Sequence, residues 1–173
     1  AAFGSSSQPG GPEQAAVFAD DSSPAFIPGG FQIVQAVVQA IPRALENFKT
    51  GAGMGWGEHA TCLFHGTERF FRTAYLAHLT SAWLPALDGV VAKLELGAKV
   101  ADVGCGLGAS TILMAKTYPR STFVGFDVHG TTIEGARQIA AIGLTVGGRS
   151  AGERALIPQG GQQVPRRLAL PHV

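Results

Sequence analysis

The sequence predicts an α/β fold, in which a helical region over residues 31–97 precedes a strand–helix–strand–helix (βαβα) unit over residues 98–143. Two observations carry this prediction. Apolar residues in the first region recur at the i, i+3, i+4, i+7 spacing of an amphipathic helix, whereas the second region alternates short apolar runs with helix-length segments. A strand–helix–strand unit of this length implies two parallel strands joined by a right-handed crossover.

Composition places the chain among globular proteins. Its 173 residues are 46% hydrophobic, which suffices for one domain of ordinary size. The net charge is +1 and the basic residues are spread singly, so no electrostatic footprint for nucleic acid is present. No apolar run approaches the ~18 residues needed to cross a bilayer, and no signal peptide is visible. The two cysteines, Cys62 and Cys105, form no disulfide framework, which predicts a cytoplasmic protein.

Residues 1–30 are rich in alanine, glycine, serine and proline and are predicted to be a linker. Within them, only a short helix that begins at Pro12 is expected. The Pro-Gly-Gly sequence from Pro28 onward predicts a break before an amphipathic helix over residues 31–41. Pro42 then ends that helix or begins another.

The remainder of the helical region is divided by glycine and proline. The glycines of residues 51–57 predict irregular structure. Thr67 is predicted to be the N-cap of a helix, with Glu68 in the first turn. Pro85 is predicted to begin the next helix, and Gly97 to end it.

The βαβα unit is predicted as a strand at residues 98–104, a helix at 107–118, a second strand at 121–128 and a second helix at 131–142. Paired glycines and three further prolines interrupt residues 144–173, where no apolar alternation of strand length remains. We therefore predict an irregular tail over residues 144–173, which does not belong to the fold.

One stretch indicates a ligand site. It is Asp-Val-Gly-Cys-Gly-Leu-Gly at residues 102–108, which we call the glycine loop. Glycines let a backbone approach a ligand closely, and the N-terminus of the following helix offers N–H groups to a polar ligand. A loop at the carboxyl ends of parallel strands is where nucleotide-type ligands bind. Asp127 closes the second strand, where nucleotide-binding folds place an acid that accepts hydrogen bonds from ribose hydroxyls.

Three interpretations of this stretch are open. Gly104, Gly106 and Ala109 match the Ala variant of the dinucleotide fingerprint, which would hold NAD(P). Asp102 instead favours S-adenosylmethionine, because a carboxylate attracts its ammonium and sulfonium groups and would repel a pyrophosphate. In the third interpretation, Asp102 and Asp127 are ordinary acids at strand ends that cap helices.

The pattern Asp-x-Gly-x-Gly-x-Gly resembles motif I of class I S-adenosylmethionine-dependent methyltransferases. Residues 48–144 as a whole are similar to an actinobacterial-type group of these enzymes, whose members carry an N-terminal winged-helix domain. Besides the glycine loop, the resemblance rests on residues 51–59, 64–71, 83–90 and 121–127.

The resemblance implies the βαβα half of an incomplete Rossmann-like methyltransferase domain, which uses S-adenosylmethionine to methylate a small-molecule acceptor. The implied cofactor contacts come from the glycine loop and the end of the second strand: Asp102, Gly104, Cys105, Gly106, Gly108, Asp127 and Val128. The glycines would line the methionine part, and the acid before them would face its ammonium group. The acid of the second strand would hold the ribose, and the residue after it would lie against the adenine.

The sequence departs from this family in two places. The winged-helix domain is not found, and residues 12–30 resemble only the segment that follows it. From about residue 144 the further strands of the family are missing, which suggests a frameshift or a truncation. These departures predict a fragment, so the alternative to an active enzyme is a non-catalytic remnant with weak or no cofactor binding.

The catalytic residues and the acceptor are not predicted by the sequence. His59 could accept a proton or could simply begin a helix, and the two interpretations weigh equally. His59, Cys62 and His65 are spaced three apart, but no fourth ligand lies nearby, so no metal site is expected. An uncovered sheet edge would allow oligomers to form.

Overall fold

The computed structural model describes residues 10–144 and 155–156. This part of the chain contains, in order, α1 (Pro12–Phe18), α2 (Pro28–Thr50), α3 (Thr61–Ala74), α4 (Val90–Leu96), β1 (Lys99–Val103), α5 (Ala109–Thr117), β2 (Thr122–Phe126), α6 (Gly130–Leu144) and β3 (Ala155–Leu156). A 3-10 turn at Trp56–Glu58 precedes α3, and a π-helical segment at Tyr75–Trp83 continues it. The helix predicted from Pro12 is confirmed.

The predicted break at Pro28 is wrong, because Pro28 begins α2. Proline is tolerated there, because N–H groups in the first turn of a helix have no intrahelical hydrogen-bond acceptor and none is lost. Gly29 is buried where α2 crosses α3: an added Cβ would lie 2.6 Å from the backbone nitrogen of Phe70 and 2.7 Å from the carbonyl oxygen of Gly66. The Pro-Gly-Gly sequence is therefore a site of close helix packing.

Pro42 lies inside α2 and neither ends it nor begins a second helix. The helix ends at Gly51, whose φ of 73° requires glycine and whose N–H donates to the carbonyl of Asn47 at 2.8 Å. Ala36 is buried. The apolar positions predicted for the helix over residues 31–41 are exposed, and two apolar residues beyond it continue the same exposed stripe along α2. The stripe comprises Phe31, Val34, Val37, Val38 and Ile41, followed by Leu45 and Phe48.

The start predicted for the next helix is also wrong, since α3 begins at Thr61 and Thr67 lies in its middle. The packing of α3 along α2 buries Leu63 and Gly66, and this tertiary contact overrides the capping preference of threonine. Pro85 falls in turns rather than at a helix start. The helix α4 begins after Gly89 and ends at Gly97, the end that the sequence predicts.

The predicted parallel pair is confirmed: β1 and β2 run side by side, with Asp102 opposite Gly125. Helix α5 connects them and packs over the sheet through a core of five buried side chains, Leu94, Met114, Ala115, Tyr118 and Phe123. Because both strands point the same way, the glycine loop and the end of β2 meet at one edge of the sheet.

A third parallel strand, β3, pairs with β2 and places Ala155 opposite Phe123. The expectation that no strand follows residue 143 is wrong for these two residues, because the neighbouring β2 supplies the hydrogen-bonding partners that a short strand needs. The rest of the predicted tail, residues 145–154 and 157–173, lies outside the described residues, as do residues 1–9 of the predicted linker. Across the described residues, no helix has the length and apolar content to span a bilayer.

Candidate functional site

A cleft of about 580 Å³ opens at the carboxyl ends of β1 and β2. One wall is formed by the glycine loop and the end of β2, and the other by α3 and the residues on either side of it. Its lining residues are Trp56, Phe64, Thr67, Glu68, Phe71, Tyr75, Asp102, Val103, Gly104, Cys105, Gly106, Leu107, Ala109, Ser110, Asp127, Val128 and Thr132.

The glycine loop is held open by its backbone. Gly104 and Gly106 have φ values of 81° and 54°, a left-handed conformation that other residues adopt only with strain. The N–H groups of Gly104 and Cys105 both donate to the carbonyl of Phe126, at 2.7 and 3.0 Å, and so join the loop to β2. A Cβ added at Gly104 or Gly106 would meet no atom within 4 Å. These two positions therefore border open space that a ligand can occupy.

Gly108 is the one predicted glycine that does not line the cleft. It is the N-cap of α5, with a φ of 80°, and it is buried. Its N–H donates to the carbonyl of Cys105 at 2.8 Å. The third glycine therefore turns the chain into α5 and shapes the loop from behind.

Asp102 faces the cleft from the end of β1. One of its carboxylate oxygens, Oδ2, accepts hydrogen bonds from the hydroxyls of Ser110 and Thr111 at 2.7 and 2.6 Å. Both donors lie in the first two turns of α5. The carboxylate is thus oriented by α5 and keeps its second oxygen for a ligand.

Asp127 follows β2 and lines the same cleft. Its Oδ2 accepts the N–H of Gly106 at 2.9 Å, and its Oδ1 accepts the N–H of His129 at 2.9 Å. Each carboxylate oxygen has a further lone pair. Asp127 therefore fixes the glycine loop and can still accept hydrogen bonds from a ligand.

Cys105 is buried behind the loop, with 8% of its surface exposed. Burial raises the pKa of its thiol to about 12, and the negative charges of Asp102 and Asp127 add to the effect. The sulfur packs on β2, where a Cβ added at Gly125 would lie 2.8 Å from it. Cys105 thus fills space as a protonated, weakly polar side chain.

Val128 is 88% exposed at the rim of the cleft. Beside it, the ring of His129 lies 5.1 Å from that of Phe64, and Trp56 lies 5.5 Å from Phe64 on the other side. An added Cβ at Gly57 would overlap the imidazole of His129. The glycine-rich segment before α3 therefore folds against the end of β2, next to the cleft.

Comparison with known proteins finds a family match for the part of the chain that contains the glycine loop. Residues 94–145 match a family described as a methyltransferase domain. The match runs from the end of α4 through β1, α5, β2 and α6. A stretch of 37 residues, 21% of the chain, is 46% identical to an uncharacterized protein of Rickettsia prowazekii (strain Madrid E). This stretch spans 15% of that protein's length.

The second wall of the cleft lies outside the matched methyltransferase segment and was not predicted from the sequence. Five residues of α3 and its continuation share one helix face toward the cleft: Phe64, Thr67, Glu68, Phe71 and Tyr75. Their spacing of three or four residues was a usable signal. It was missed because Thr67 and Glu68 were assigned to a helix start, where they would serve only as capping residues.

Glu68 is the acid of this wall, and 14% of its side chain is exposed. Burial raises its pKa above the ordinary value, although the charges of Arg72, His65 and Arg69 oppose the shift. The nearest atom of Arg72, its Nε, lies 3.5 Å from Oε1. This Nε is a buried donor with no hydrogen-bond partner among the described residues, so its contact with Glu68 is a long ion pair.

His59 is absent from the residues that line the cleft. Its ring lies 6.0 Å from that of Trp56, outside the cleft wall. Among the residues described, no cluster of histidine, cysteine, aspartate and glutamate is close enough to hold a metal ion.

Proposed function

We propose that this chain binds S-adenosylmethionine in the cleft and transfers its methyl group to a small-molecule acceptor. The observation that carries the proposal is the pair of carboxylates, Asp102 and Asp127, which stand at the ends of adjacent parallel strands on either side of an open glycine loop. A sulfonium and an ammonium group are both stabilised by nearby carboxylates.

The site suits this cofactor in shape as well as charge. A volume of about 580 Å³ is typical of small-molecule sites. The space in front of Gly104 and Gly106 would take the methionine part, because no side chain enters it. Asp102 would face the ammonium group, Asp127 would accept hydrogen bonds from the ribose, and Val128 would lie against the adenine.

NAD(P) fits the same loop less well. A pyrophosphate is held by backbone N–H groups at the loop and the helix start. Here the N–H of Gly106 already donates to the carboxylate of Asp127. Asp102 would add a negative charge beside the phosphates. Both observations favour a cationic ligand.

The chain would contribute mainly by positioning. The bound cofactor supplies an electrophilic methyl group on a positively charged sulfur. Asp102 and Asp127 would orient the cofactor, and the aromatic side chains of Phe64, Phe71 and Tyr75 would form the opposite wall. A reaction between two held groups gains rate because the encounter no longer depends on diffusion.

The finer classification belongs to the same proposal. Three parallel strands in the order β1-β2-β3, with α5 between the first two, support a Rossmann-like arrangement. Both cysteines are free thiols, which supports a cytoplasmic location. The assignment to the actinobacterial-type group with a winged-helix domain rests on the sequence segments quoted above.

Isothermal titration calorimetry of the full chain with S-adenosylhomocysteine and with NAD tests the proposal. We expect the first ligand to bind and the second not to bind. Asp127→Asn should weaken S-adenosylhomocysteine binding by about tenfold or more, because hydrogen bonds to a charged acceptor are strong. The control Asp88→Asn removes an exposed acid outside the cleft and should change nothing. Binding of NAD alone would reject the proposal, and binding of neither ligand would favour the non-catalytic remnant.

A further inference from the structure

We propose that the α3 wall is the acceptor site, that it takes an uncharged phenol, and that Glu68 accepts the proton of the phenolic hydroxyl. This inference rests on the proposed methyl transfer and names the substrate class and the base for it. It concerns residues 64–75, which lie outside the segment that matches the methyltransferase family.

Glu68 is the third carboxylate of the cleft and differs from the other two in its contacts. Asp102 is hydrogen-bonded by two hydroxyls of α5, and Asp127 by two backbone N–H groups. Among the described residues, the printed partner of Glu68 is Arg72, whose Nε lies 3.5 Å from Oε1 in an ion pair. Because this ion pair is long and leaves lone pairs of the carboxylate unused, a ligand hydroxyl that donates to Glu68 at a shorter distance is favoured.

The charged groups around Glu68 come from several elements. On α3 itself, Arg72, Arg69 and His65 favour the ionised carboxylate. Arg72 is shared between Glu68 and Asp21, because its Nη2 donates to Asp21 at 3.1 Å. The charge of Asp21 in turn disfavours a negative charge on Glu68. Across the cleft, the glycine loop and β2 contribute the two carboxylates already described. Burial outweighs the cations and raises the pKa of Glu68, which brings the basicity of its carboxylate closer to that of a phenolate.

The remaining surface of this wall is aromatic. Phe64, Phe71 and Tyr75 lie on the same face of the helical wall as Glu68, and Trp56 borders them at the mouth of the cleft. Flat apolar side chains favour a planar ring, through area burial and ring–ring contact. Three carboxylates in one cleft would repel an anion. An uncharged aromatic compound with one hydroxyl group would pack against the aromatic side chains and donate a hydrogen bond to Glu68.

The transfer balances without a further reagent. The phenolic oxygen forms a bond to the methyl carbon, and the carbon–sulfur bond of the sulfonium donor breaks with its electron pair passing to sulfur. The phenolic proton passes to an oxygen of Glu68 and leaves to water after the product departs. Nothing is oxidised or reduced, and the cation is replaced by neutral products and a proton.

The test measures binding, so it does not depend on turnover. The full chain is titrated calorimetrically with 2-naphthol and with 2-methoxynaphthalene, which has the same rings and no hydroxyl donor. Glu68→Gln should weaken 2-naphthol binding by about tenfold and leave the ether within about twofold. The control Glu95→Gln, an exposed acid on α4, should alter neither. Arg72 keeps Asp21 as a partner, so Glu68→Gln is expected to fold.

The outcomes separate the two proposals. Equal losses for naphthol and ether, or no loss for either, would overturn the role of Glu68. Binding of S-adenosylhomocysteine without binding of either naphthalene would overturn the acceptor class alone. The expected naphthol result in a chain that does not bind S-adenosylhomocysteine would support the phenol site and reject the methyl transfer.

Discussion

The carboxylate of Asp127 accepts a hydrogen bond from the backbone N–H of Gly106 at 2.9 Å, across the junction between two parallel strands. Its other oxygen accepts the N–H of His129. Asp127, which is expected to hold a ligand, thus also fixes the glycine loop. That ligand would lie in front of the same loop. Ligand binding and local stability are therefore coupled at this residue.

Asp127→Asn should lower the free energy of unfolding by about 1–3 kcal/mol, because an amide can accept only through its oxygen and its NH₂ group would face a backbone donor. Urea denaturation monitored by circular dichroism measures the change. The exposed Asp88→Asn is the matched control, and its effect should stay within about 0.5 kcal/mol. Equal stability of Asp127→Asn and the unaltered chain would show that the two hydrogen bonds contribute nothing.

Gly106→Ala should abolish ligand binding, whereas it should lower the free energy of unfolding only modestly. Alanine at a φ of 54° costs about 1–2 kcal/mol, and the new methyl group enters the open cleft. Gly89→Ala carries the same kind of strain, at a φ of 70° with no atom within 4 Å, but lies away from the cleft. Both variants should show similar losses in urea denaturation, whereas only Gly106→Ala should lose S-adenosylhomocysteine in calorimetry. Equal binding by the two variants would contradict this placement of the glycine loop.

The two cysteines should differ in reactivity. Burial raises the pKa of Cys105 to about 12, so almost none of its thiol is ionised at pH 8.5, and the thiolate is the reactive form. Iodoacetamide should therefore label Cys62 in the native chain and leave Cys105 unmodified, as peptide mass spectrometry would show. Cys62→Ser should give a chain that is labelled only after denaturation. Fast labelling of that variant in the native state would mean that Cys105 is accessible.

The βαβα unit was predictable because its signals are local. Strand-length apolar runs, glycines at a strand–helix junction and an acid after the second strand all act within a few residues of one another. The structure accordingly confirms the parallel pairing and brings Asp102 and Asp127 to one cleft. That they bind a cofactor stays a prediction.

The helical region was less predictable because its outcome depends on contacts between distant segments. Pro28 reads locally as a break, yet the close approach of Gly29 to Gly66 keeps it within a helix. Thr67 has the local preference of a cap, yet packing on α2 extends α3 past it. The same error concealed Glu68, since the cleft face of α3 is visible only once Thr67 is placed inside the helix.

Glu68 should make stability depend on pH in a defined direction. Burial raises its pKa above the ordinary value of 4.5, so folding favours the protonated carboxyl. The associated stability is fully present below pH 4.5 and is lost as the pH rises through the higher pKa of the folded state. Glutamine resembles the protonated acid at every pH. The melting temperature of Glu68→Gln should therefore exceed that of the unaltered chain at pH 7, and the difference should disappear near pH 4.

Thermal melts at a series of pH values measure this difference, with Glu95→Gln as the exposed control that should show no such trend. A lower melting temperature of Glu68→Gln than of the unaltered chain at pH 7 would be equally informative. If attraction by Arg72 outweighed burial, Glu68→Gln would be less stable at pH 7, and the gap would close on acidification because the native acid would then lose its charge as well. That result would make Glu68 a partner in an ion pair with Arg72 and Asp21, and would remove the raised basicity on which its role toward a phenol depends.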